Sequence, residues 1–270
     1  MSDVGDPLHG LLSDAAHKYW EDPNGRLIVT SIYSPLIEKW VPVLFTYGNG
    51  ATIAHYEYHF LILIEGIAAT ALQKNIPITD SLFASLVDFS DPQRIGFVGA
   101  FVTYFQAQAS DTRSEKDLQL AGQALIKGCL YHYHKAVNRM SRIGDAVPQN
   151  TKSEFQKLCR SLPEITDVKH FDDIVSTIQQ HWPRVSRWLS WWLMSEHAGM
   201  LFPCKLTMAA DLAAKLPATT NAEEAMHATI YRAVGINHPL LKGLDGLLAV
   251  EKLFRIESQN ALCMYTSLTK

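Results

Sequence analysis

Cysteine is scarce in this 270-residue chain: Cys129, Cys159, Cys204 and Cys263 stand far apart, and none falls in a CxxC spacing. That excludes a disulfide-stapled scaffold and predicts a reducing, intracellular setting. Long apolar runs are missing too. The longest candidate, near Phe60–Leu72, is broken by Glu65, so no membrane span is expected. Met1–Gly10 is polar and acidic, without the basic stretch and apolar run of a secretory signal. Nor is there an excess of positive charge. With 24 Lys and Arg against 27 Asp and Glu the net is −3, so any contact with nucleic acid has to come from local patches. Internal repeats and low-complexity tracts are absent. What is present is apolar bulk: 47% apolar residues and six Trp, enough for one large domain or two ordinary ones.

The chain opens with strand signals. Gly10–Trp20 reads as a strand despite its alanines, and Asp22-Pro23-Asn24-Gly25 as a turn. Arg26–Tyr33 is β-branched, and Trp40–Tyr47 follows a loop and ends at Asn49-Gly50, which completes a three-stranded meander. Thr52 or Ala54 opens a helix whose apolar spacing runs through His55–Gln73. Ser85–Phe89 is a short strand ending in a carboxylate, and Ser90-Asp91-Pro92 starts a helix that reaches about Gln108. From Ser114 to Leu216 the spacing predicts helix throughout, with Asp117–Arg142 as one long helix. Shorter helices are expected at Glu154–Leu162, Phe171–Gln180 and Arg184–Met194, and two final ones at Thr219–Val234 and Pro239–Ser258.

Several residues have two readings. Asp14 sits mid-strand, where Asp is disfavoured, so it is either functional or part of a surface helix or loop. Asp88 either aims a carboxylate off a strand end or caps the next helix. Asn221 with Glu224 three residues on is a capping-box pattern, or Glu224 has chemistry to do. Cys129-x-x-His132 is half a zinc site without its second half, or a buried cysteine beside a hydrogen-bonded histidine. Between Lys127 and Arg160 stand seven basic side chains, Lys135, Arg139 and Arg142 among them, against only Asp145 and Glu154. This is a solvated helix face or a surface for a phosphate backbone. Trp182, Trp188, Trp191 and Trp192 belong to a helical core, unless one of them is a stacking platform for an unpaired base.

A β-β-β-α-β-α chain with acids on its first and fourth strands and a carboxylate on a later helix describes a ribonuclease-H-like fold. That is an α/β (α+β) mixed sheet flanked by helices, in which the first strand is central and neighbours the fourth. The elements resemble those of DDE transposases, and most of all the Mutator-like group and its fungal relatives. The resemblance rests on Asp14-Ala15-Ala16-His17, Trp40-Val41-Pro42-Val43-Leu44-Phe45, Val87-Asp88-Phe89-Ser90, Cys129-x-x-His132 and Thr219-Thr220-Asn221-Ala222-Glu223-Glu224. It covers the chain from about Gly10 to Val250. In that group the third acid lies in a T-N-x-x-E motif, which Asn221 and Glu224 match. Ala16 stands where the pattern often has Thr, and Glu223 adds an acid beside the matched one.

The resemblance implies a first part of the core at 1–113, a large all-helical insertion at 114–216, and C-terminal helices at 217–270 that complete the core. It implies that Asp14, Asp88 and Glu224 hold two Mg²⁺ or Mn²⁺ ions for DNA strand cleavage and transfer, because hard divalent cations prefer anionic oxygen ligands. Cys129, His132 and His227 would then support the site, and Lys135, Arg139 and Arg142 would contact DNA. The implied partners are transposon ends and target DNA, with a homo-oligomer as a further expectation, and the implied location is nuclear. The alternative is a domesticated or inactive descendant that binds DNA or other partners. The family's N-terminal DNA-binding region, often zinc-dependent, is not expected in this chain.

Overall fold

A computed structural model of the chain describes residues 10–268, so the reading of the first nine residues lies outside the described ones. The meander is there. β1 (Leu11–Ala16), β2 (Arg26–Ser34) and β3 (Lys39–Gly48) pair antiparallel in sequence, with a register irregularity at Thr30/Ser31 opposite Pro42, the residue that cannot donate. After α1 (Ile53–Gln73) comes β4 (Ser85–Val87), parallel to β1, and after α2 (Asp91–Gln106) and α3 (Glu115–Gln123) comes β5 (Ile126–Gly128), parallel to β4. The sheet is five-stranded and mixed, in the order β3-β2-β1-β4-β5, with β1 at its centre.

β5 corrects the expectation of one helix over Asp117–Arg142 and of an all-helical stretch from Ser114 to Leu216. The chain leaves α3 after Gln123, runs through the three extended residues Ile126–Gly128, and re-enters helix at α4 (Leu130–Met140). Gly128 is needed there, because a Cβ would come within 2.3 Å of the Phe89 ring. Beyond α4 the chain is helical: α5 (Lys152–Ser161), α6 (Val168–His181), α7 (Ser186–Trp192), α8 (Ser195–Leu201) and α9 (Ala210–Lys215). α10 (Asn221–Val234) and α11 (Leu240–Leu268) close the chain.

Strand alternation sorts the core. Ile28 faces one side with Phe60, Phe97 and Phe101 of α1 and α2, whereas Leu27 and Val29 face the other with Met226 and Ile230 of α10 and Val250 of α11. α1 and α2 approach closely at Gly96, where a Cβ would stand 2.7 Å from that of Tyr56. The helical block has its own core, built on Tyr133, Phe155, Phe171 and Phe202, with Trp182 and Trp192 buried in it. Among the described residues, no helix is long and apolar enough to cross a membrane.

Candidate active site

Asp14 lies on the central strand opposite Val29, so alternation turns it to the sheet face that α10 covers. A carboxylate there is costly to desolvate. Burial first, then the charge of Asp88, raise its pKa to about 7; Glu224 adds to the rise, while the Ala15 N–H, donating to Oδ1 at 2.8 Å, and His132 oppose it. Asp88 directly follows β4. Counting two residues on from the paired Leu12 and Leu86 along the two parallel strands arrives at Asp14 and Asp88, both turned to the same face. Gln93 fastens this pairing from α2. Its buried side chain accepts from the Asp88 N–H at 3.3 Å and donates to the Ser13 carbonyl at 3.0 Å.

α4 supplies the next layer. Nδ1 of His132 stands 2.8 Å from Oδ1 of Asp88, an ion-pair distance, with the ring turned off the line of a well-directed hydrogen bond. Burial pulls the His132 pKa down, but Asp88 and Cys129 outweigh it and carry it up to about 10, so the ring is a cation at neutral pH. Cys129 precedes α4 and is fully buried. Burial alone would raise its thiol, yet hydrogen bonds from His132 and Thr220 bring it below its ordinary value. Both the N–H and the hydroxyl of Thr220 donate to its sulfur at 3.3 Å. Ligand atoms of Asp88, Cys129 and His132 all lie within 4.8 Å of one another. The C-x-x-H element is thus tied to the second acid on one side and to the start of α10 on the other.

α10 carries the T-N-x-x-E segment. Thr220 is the residue before the helix, and its side chain is spent on Cys129 and makes no cap, so the capping-box reading of Asn221 and Glu224 is not realised. Glu224 is exposed, within range for its charge to raise the Asp14 pKa. Glu223 is the residue that sequence reasoning passed over. It is 0% exposed, accepts from the Ser31 hydroxyl at 3.0 Å through Oε1, and leaves Oε2 buried without a partner. Burial, with Asp14 adding to it, pushes its carboxyl well above the usual range. The signal was present: Glu223 shares helical spacing with Met226, His227 and Ile230, the buried stripe of α10. His227 brings Nδ1 to 3.7 Å from Oδ2 of Asp14, and burial together with His17 lowers it to about 4, so it is neutral.

The basic stretch divides. Lys127 turns inward and donates to the carbonyls of Ala213 and Leu216, and Arg160 is held by Asn138. Lys135, Arg139 and Arg142 stay exposed on or just past α4. Arg139 lines a cavity of about 800 Å³ that begins at Asp88 and His132. Compared with known proteins, the chain matches no family model, no curated protein and no solved structure.

Proposed function

We propose that the chain is the catalytic domain of a DDE-type DNA transposase on a ribonuclease-H-like core, cutting and joining DNA strands with Mg²⁺ or Mn²⁺. The observation that carries this reading is the register of β1 and β4. It turns Asp14 and Asp88 to one face, and Glu224 on α10 is near enough for its charge to add to the rise in the Asp14 pKa. The strand order β3-β2-β1-β4-β5, with β1 central and beside β4, supports a core of that kind.

The donor set suits a hard divalent cation. Burial and the charge of Asp88 raise the cost of ionising Asp14, and a cation beside Asp14 would relieve that cost. Bound there, two such ions would activate a hydroxyl and stabilise the leaving oxygen of a phosphodiester. The chain's own residues do the positioning. Gln93 fixes the backbone of Asp88 against β1, cationic His132 orients its carboxylate, and neutral His227 packs beside Asp14 without competing for a cation. Cys129 is engaged with Thr220 and His132, which assigns it to bracing His132.

The test is nicking of supercoiled plasmid in Mn²⁺ and in Mg²⁺. Asp14→Asn and Asp88→Asn should each lower the rate by more than the roughly tenfold to hundredfold expected for a residue that merely supports a metal ligand. Both variants should keep the circular-dichroism spectrum of the parent. Nicking at the parental rate in either variant rejects the assignment.

A further inference from the structure

The helical block leaves a groove against the site that its own core does not fill. One wall is α4, with His132, Ala136, Arg139 and Met140 at helical spacing, and the other is α7 and the turn before it, with Arg184, Arg187, Trp188 and Trp191. Such stripes normally interlock when helices pack. Here they stand apart around about 800 Å³, which is within the range of ligand sites.

Its chemistry is specific. Trp191 is 37% exposed although its ring packs at 3.8 Å, tilted by 31°, against buried His197, which backs the indole from within. Three arginines surround this aromatic floor, and none makes a described ion pair; Arg184 spends one N–H on the Asp145 carbonyl, at 3.1 Å. Among the described residues, Asp88 is the only carboxylate in the lining. Flat aromatic surface edged by guanidinium groups with N–H donors to spare suits a nucleotide, whose base stacks and whose phosphate takes paired N–H donors.

We propose that this groove takes an unpaired nucleotide of a DNA single strand, its base against Trp191 and Trp188 and its phosphates on Arg139, Arg184 and Arg187. The strand is thereby led to Asp88. This rests on the reading of the chain as one that acts on DNA, and it adds that the chain prefers strands with an unpaired end or a displaced base.

The test is fluorescence anisotropy in EDTA, comparing a blunt duplex with the same duplex carrying a short thymidine overhang. The overhang should bind about tenfold more tightly, the effect of stacking one base. Trp191→Ala should erase that difference and leave the blunt duplex unchanged, while Trp191→Phe, which keeps a stacking ring, should retain most of it. Arg187→Ala should reduce the slope of log affinity against log salt for the overhang by about 0.7. Equal affinity for the two duplexes, or a preference that survives in Trp191→Ala, overturns the proposal. Because no metal is present, the outcome is independent of nicking. A groove that fails with nicking intact removes only this inference, and nicking that fails with the overhang preference intact removes only the catalytic reading.

Discussion

The Ser31 hydroxyl on β2 donates to Oε1 of Glu223 on α10 across 3.0 Å, where the carboxyl has no exposed surface. Burial holds this carboxyl well above its ordinary value, so the folded chain keeps a proton that the unfolded chain sheds above about pH 4.5. The stability contributed is complete below that value and is lost as pH rises. Glu223→Gln, which keeps the size and the hydrogen bond, should therefore flatten the fall in urea midpoint between about pH 5 and pH 8. An unchanged pH profile would show that Glu223 ionises freely in the folded protein.

The neighbouring acid should behave differently. Exposed Glu224→Gln should leave the urea midpoint within about 0.5 kcal/mol of the parent and still lower plasmid nicking by a hundredfold or so. Glu223→Gln should lower nicking far less. Full nicking in Glu224→Gln would move the third acid of the site to Glu223.

Gln93 links two segments that sequence keeps far apart, accepting from Asp88 and donating to Ser13. Gln93→Leu fills the space but strands a buried carbonyl and an amide, each costing about 1–3 kcal/mol. Urea unfolding should register that loss, and nicking should fall further than the stability change accounts for, because Asp88 loses its tether. A stable, fully active Gln93→Leu protein would show that β4 alone positions Asp88.

His59 gives a second pH signature of opposite sign. It is buried between the hydroxyls of Thr30 and Thr46, each 2.7 Å from a ring nitrogen, and burial lowers its pKa to about 3. The unfolded chain therefore binds a proton below about pH 6.5 that the folded chain refuses, and stability present above that pH is lost as pH falls toward 3. The contribution approaches 1.4 kcal/mol per pH unit at most, so it is on the order of that slope. His59→Gln should make the acid limb of the stability curve shallower, as read from urea midpoints.

How much of this could be read beforehand depended on the length of each signal. β2 and β3 announce themselves as stretches of nine and ten residues, rich in β-branched and aromatic side chains, between turn signals, and the meander follows. β5 is three residues, Ile126-Lys127-Gly128, joined to helices at both ends, so helical periodicity runs straight across it. Lys127 looked like surface charge and is instead anchored to two carbonyls, a pairing 86 and 89 residues away that no local pattern reveals. The placement of Asp14 within a strand and of Asp88 just past one was legible because a carboxylate in or beside an apolar strand is conspicuous. Glu223 was not, because its neighbour Glu224 matched a motif, although the buried stripe of α10 passes through Glu223.

Thr220 and Cys129 touch although they stand 91 positions apart in sequence, and the Leu130 N–H donates to the Ala218 carbonyl beside them at 2.8 Å. The helical excursion thus departs from and returns to almost one point. A cassette mounted on a single clasp can lengthen, shorten or be exchanged over generations without disturbing the sheet that carries the acids, since its ends need no new path. The groove between α4 and α7 belongs to that cassette, whereas Asp14, Asp88 and α10 do not. Selection can consequently reshape the groove while leaving the sheet that carries Asp14 alone.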